Sequence, residues 1–165
     1  MILHYFQKKE NTEKKNANEL YKFILKEANS ILRKNNIFNS NDFNSSFEIV
    51  SILLIIQINI NINNRVKSFY KINENLVSIF ISDLDESLRV KGIGDMSIGK
   101  YVKKYVKKFY FRLSKFPKNI NNNKLLINYL KLFDLIKVDQ FEIASKIFIE
   151  SYKNRLNQHN TKVEP

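Results

Sequence analysis

The chain has 165 residues, 44% of them hydrophobic, enough for one domain with a buried core and too apolar for a wholly disordered protein. Cysteine is absent, which excludes disulfides, thiolate metal sites and a cysteine nucleophile, and the only two histidines, His4 and His159, stand near the termini as solvated side chains rather than as a catalytic or metal set. The formal net charge of +12 suits an acidic partner such as RNA, a ribosome or an anionic membrane face, although abundant Lys, Asn and Ile beside scarce Ala, Gly and Pro mark an AT-rich coding bias that inflates it.

Met1 to Lys15 has no apolar core before a small-residue cleavage site and no Arg-rich, acid-poor transit pattern, so no leader is expected. His4 to Asn16 reads as polar and frayed, which makes residues 1–16 a flexible N-terminal segment ahead of a domain over 17–156. Ala17 to Arg33 reads as the first helix, with Leu20, Phe23, Ile24, Ile31 and Leu32 at helical spacing. Asn35 to Ser46 is a connector whose Phe38 and Phe43 tuck against the core. The longest apolar run, Ile49 to Ile56, is too short for a membrane span; β-branched residues would suit Phe47 to about Ile58 to a buried strand, but its length and all-round apolarity favour a buried central helix. Gln57 to Ile62 alternates like a strand, but with no second strand to pair with it this stretch reads as a helix end or loop.

Ile72 to Val90 predicts a third helix with Leu76, Ile79, Phe80, Leu84 and Leu88 inward, and with Asp85 and Arg89 paired across one turn. Ser97 to Phe116 predicts a fourth, stopped by Pro117. After a loop at Asn119 to Asn123, Lys124 to Leu135 and Gln140 to Leu156 predict two more, and 157–165 is a polar tail. With no internal repeat and little glycine or proline, the fold class is all-α, a single-domain bundle of about six helices.

All three glycines, Gly92, Gly94 and Gly99, lie within eight residues and form a structural hinge. Gly92 fits the position just past a helix end, Asp95 or Ser97 is placed to cap the next helix, and Gly94 and Gly99 would let the two helices turn back closely. Gly94 to Lys100 also has the spacing of a phosphate-binding loop, G-x-x-x-x-G-K-[ST]. Tyr101 stands where a small hydroxyl should reach magnesium, and a helix precedes the loop instead of a strand. Both features argue against nucleotide hydrolysis.

The fourth helix has two faces. Ile98, Val102, Tyr105, Val106, Phe109 and Leu113 share one arc. Lys100, Lys103, Lys104, Lys107, Lys108, Arg112 and Lys115 occupy the opposite half with no acid among them. A charged helix face is commonly just solvated. Seven mutually repelling cations nevertheless gain from an anionic partner, be it RNA, anionic lipid or an acidic protein surface.

The block Asp83-Leu84-Asp85-Glu86-Ser87-Leu88-Arg89, then Gly92 to Lys100, Val102-Lys103 and Phe109-Tyr110-Phe111-Arg112 resembles the signature of the ubiquinol–cytochrome c chaperone family. Both aspartates match, as do Leu88, Arg89, Gly92, Gly94, Asp95, Gly99, Lys100, Lys103, Phe109, Tyr110 and Arg112. Phe47-Glu48-Ile49 is similar to the family's upstream region. Three positions depart from the pattern: Val90 replaces a usual Glu, Lys91 a usual apolar residue, and Phe111 the glycine of F-Y-G-R, where it either extends an apolar contact into the basic face or covers it.

The resemblance implies an all-α, non-catalytic chaperone for assembly of the respiratory ubiquinol–cytochrome c reductase, complex III. It implies cytochrome b or another complex III subunit as client, with a ribosome and a small partner protein as further partners. No cofactor or small-molecule substrate is expected. The missing leader resembles a bacterial member, working in the cytoplasm peripherally at the inner membrane (the matrix face in a mitochondrion). Asp83, Asp85, Arg89, Asp95, Lys100, Lys103, Lys104, Lys107, Tyr110 and Arg112 are the candidate client- and partner-binding residues. The alternative is an RNA- or ribosome-binding module using helix 97–116.

Overall fold

The computed structural model describes residues 2–34, 36–40, 42–63, 67–133 and 136–161. Leu135, the expected end of the fifth helix, and the last four residues of the expected tail lie outside these, as do the side chains of His4 and His159. Six α-helices follow in order: α1 (Ile2–Lys34), α2 (Phe43–Asn63), α3 (Lys67–Val90), α4 (Asp95–Lys115), α5 (Asn123–Leu130) and α6 (Phe141–Thr161), with a 3₁₀ turn at Val138–Gln140 before the last. Among the described residues the only β-type pairing is an isolated bridge between Phe38 and Ile136. The fold is an all-α single-domain bundle.

α2 is the axis of the bundle. Ile49 and the run from Ile52 to Ile56 are fully buried, because α1, α3 and α6 all pack around it. An all-round apolar sequence leaves no solvated face and so demands such enclosure. α2 extends beyond the expected Phe47 to Ile58 at both ends. Asp42 accepts from the Ser45 amide at 3.0 Å and starts the helix four residues earlier. That same bond holds the Asp42 carboxyl below the ordinary aspartate range. At the other end the alternating Gln57 to Ile62 is helical. Its polar members bond within the helix and to α3: Gln57 donates to Asn61 at 3.0 Å, Asn59 to the Ile55 carbonyl at 2.9 Å and Asn61 to Asn73 at 2.7 Å.

α1 begins at Ile2, well ahead of the expected Ala17. Glu13 is buried on its inner side and pairs with Lys71 of α3 at 3.8 Å, so tertiary contact starts before the apolar periodicity does. Tyr21 and Ala28 join the core, while Phe23 is half exposed and lies under the Arg155 guanidinium. α6 is fastened to the bundle by that arginine. Arg155 donates to Glu27 of α1 and, at 3.0 Å, to Gln57 of α2. Burial lowers its pKa, and Glu27 opposes the shift. The connector phenylalanines behave as expected: Phe38 is buried, and Phe43 meets Tyr105 edge to face at 5.5 Å.

Candidate functional site

The α3–α4 hairpin carries nearly all of the singled-out residues. α3 ends in a Schellman motif: the Ile93 amide donates to the Leu88 carbonyl at 3.1 Å and the Gly92 amide to that of Arg89 at 2.9 Å. Gly92 has φ +94°, a left-handed conformation that favours glycine. Leu88 is buried in the core and Ile93, partly buried, packs against that core. Two expectations are corrected here. The residue capping α4 is Gly94, in extended conformation and without a side-chain cap; Asp95 and Ser97 sit inside the first turn. A side chain at Gly94 or Gly99 would meet nothing within 4 Å, so neither glycine is there for close helix approach. A helix, and no strand, precedes the loop, which removes the phosphate-loop geometry.

Charge then pins the corner. Arg89 donates to Asp85 one turn back at 2.7 Å and also to Asp95 across the turn. Both carboxylates raise the pKa of Arg89. Asp83 serves another junction: it accepts from the buried hydroxyl of Tyr21 at 2.7 Å and joins α3 to α1. Burial pushes the Tyr21 phenol well above its usual range, and Asp83 adds to the effect.

α4 buries the predicted arc. Ile98 and Phe109 are in the core, with Val102, Tyr105, Val106 and Leu113 packed against it. One candidate is displaced from its expected surface. Arg112 is 1% exposed and forks onto Glu48 of α2, itself fully buried, with the Nη2 to Oε1 distance at 2.8 Å. Its guanidinium lies 4.0 Å from the Phe133 ring centroid. Lys108 reaches the same carboxylate at 2.6 Å. Arg112 is therefore corrected from a partner-binding residue to a core residue: a buried carboxylate needs a paired cation, and a guanidinium fork matches it best.

The seven cations are thus sorted. Lys108 and Arg112 turn inward to Glu48. Lys100, Lys103, Lys104, Lys107 and Lys115 remain on the outside, and none of these five forms an ion pair with an acid among the described residues. Tyr101, Tyr110 and Phe111 are exposed among them.

One element of the site escaped sequence reasoning. Between the end of α2, α3 and α4 lies an open groove of about 560 Å³, lined by Ile62, Tyr70, Val77, Ile81, Tyr110 and Leu113 among others. Its apolar residues come from three helices, so no single periodicity reveals it. Exposed Ile62 at the end of the alternating stretch was the one available hint. Tyr110 belongs both to this groove and to the edge of the lysine face. Among the described residues no group of three or more His, Asp or Glu could hold a metal ion.

The family model described as ubiquinol–cytochrome C chaperone matches residues 39–125, a stretch that contains Glu48, the whole hairpin and Arg112. The crystal structure of the Cbp3 homolog from Brucella abortus is similar in fold, with a TM-score of 0.75 over 94% of this chain and 88% of that chain at 20% sequence identity. No curated protein sequence matches the chain. With more than half of its length answering to one family model, the chain belongs to the ubiquinol–cytochrome c chaperone family and so to the chaperones of complex III assembly.

Proposed function

We propose that this protein receives newly made cytochrome b in the groove between α2, α3 and α4 and holds it, without catalysis, until it joins complex III. The observation that carries the reading is the juxtaposition of an open apolar trough with a row of unneutralised lysines, sharing Tyr110 at their border. An apolar client segment would lie along Val77, Ile81 and Leu113. Acidic or phosphate groups beside it would meet Lys103 and Lys107. The work would take place in the bacterial cytoplasm at the inner membrane, with a ribosome and a small partner protein as further contacts.

Deletion of the gene is expected to deplete complex III and its b-type haem absorbance, and Ile62→Asp, at an exposed wall of the groove, is expected to abolish co-purification of cytochrome b while the helical signal and melting temperature hold. Normal haem levels in the deletion strain would reject the chaperone reading; undiminished capture by Ile62→Asp would reject the groove. The five outward lysines also support a second reading, an RNA- or ribosome-docking module. That reading requires binding to RNA that falls steeply with salt and is lost when Lys100, Lys103, Lys104 and Lys107 become alanine.

A further inference from the structure

We infer that the outward face of α4 is a docking surface for an anionic lipid bilayer. This goes beyond client capture and rests on the chaperone reading only for its place in the cell. At 100° per residue, Met96, Lys100, Lys103, Lys107 and Phe111 fall within one arc of about 80°. That arc is opposite the buried arc of Ile98, Tyr105 and Phe109. It runs straight for about 22 Å, with Met96 fully exposed at one end, Phe111 half exposed at the other, and lysines between.

Three observations select lipid. First, after Asp95 the helix has no acid, and Glu48, which pairs with Lys108 and Arg112, is buried on the inner side. The outer positive charge therefore has no internal counterpart. Second, exposed large apolar side chains accompany the lysines: Met96 and Phe111 within the arc, Tyr110 at its edge, and Val90 (84% exposed) at the end of α3 beside the turn. Nucleic acid rewards the lysines and tyrosines but gives nothing to Val90 or Met96, whereas the headgroup boundary of a membrane takes lysines, aromatic rings and aliphatic tips together. Third, Lys115 lies 5.9 Å from the Phe111 ring centroid, so cation and apolar ring are offered side by side, as in side chains that bury a stem and keep the charge in water. Docked this way, α4 would hold the groove beside Tyr110 at the bilayer edge.

The test floats the purified full chain with phosphatidylcholine vesicles, with and without phosphatidylglycerol. The chain is expected to rise with the anionic vesicles only. Lys100→Glu/Lys103→Glu is expected to lower partitioning about tenfold or more. Met96→Gln/Phe111→Gln, at unchanged charge, should lower it several-fold, and the charge-matched pair Lys146→Glu/Lys153→Glu on α6 should lower it far less. Equal loss in the α6 pair, undiminished binding of the glutamine pair, or binding to polyuridylate in place of vesicles would overturn the inference.

Because the chain has no cysteine, Met96→Cys can carry one polarity-sensitive fluorophore. Its emission should shift to the blue on anionic vesicles, and the same label at Ile143→Cys on α6 should not. A silent label at position 96 overturns the docking even if the charge variants fail to fold. No client is present in these mixtures. A chain that stays down yet retains cytochrome b loses only the docking, and one that floats yet leaves complex III intact on deletion loses only the chaperone reading.

Discussion

Glu48 is a carboxylate in the most apolar helix of the chain, and its pairing with Arg112 and Lys108 decides which side of α4 stays positive. Removing Arg112 strips two hydrogen bonds from a buried carboxylate and leaves it Lys108 alone as counter-charge. Arg112→Met is expected to cost about 3 kcal/mol, measured by urea unfolding. Glu48→Leu/Arg112→Met should recover most of that loss, since packed apolar groups replace buried ion pairs at little net cost. The glycines separate in the same assay. Gly92→Ala should cost about 1–2 kcal/mol because of its positive φ. Gly99→Ala, in open space within α4, should stabilise by about 0.5–1 kcal/mol. The Asp42 cap adds an acid limb. Its pKa is depressed by folding, so its contribution is complete above the unfolded-state pKa and is lost as pH falls through the lower folded value. Asp42→Ala should therefore cost about 1 kcal/mol at neutral pH and make the remaining stability less sensitive to acid.

At the scale of elements, what was legible depended on whether one segment carried its own signal. α3 and α4 were readable because apolar spacing, the Gly92 stop and Pro117 all act within a turn or two. The apolar residues that the period selects on both helices all lie in the core or against it. The start of α1 was not readable, since residues before Ala17 are held by contacts such as Glu13 with Lys71 rather than by periodicity. The strand-like run at Gln57 was ambiguous for a similar reason: its asparagines are satisfied by Ile55 and Asn73, partners that the local pattern does not disclose. Arg112 was misplaced because a wheel sorts residues by polarity and assigns a cation outward, whereas the acid that draws it inward lies 64 residues away. Within α2, Ser51 has a buried hydroxyl with no hydrogen-bond partner. Ser51→Ala should leave the fold unchanged and raise stability by about 1 kcal/mol, read from the denaturation midpoint.

For the molecule as a whole, the bundle is closed by long-range polar clasps laid over an apolar axis. Arg155 ties α6 to α1 and α2 through Glu27 and Gln57, partners 128 and 98 residues distant. Arg155→Met should accelerate amide exchange throughout α6 before it affects α3 or α4. The axis itself has a consequence for how the chain comes into being. By length and composition alone α2 could cross a bilayer: an 18-residue window of it has mean hydropathy 1.6, and 83% of that window is buried in the folded bundle. Until its neighbours wrap it, the nascent polypeptide exposes that window, and slow collapse would leave it time to meet lipid. A substitution that merely delays wrapping would lose molecules to the membrane during synthesis, although the survivors would melt at the ordinary temperature.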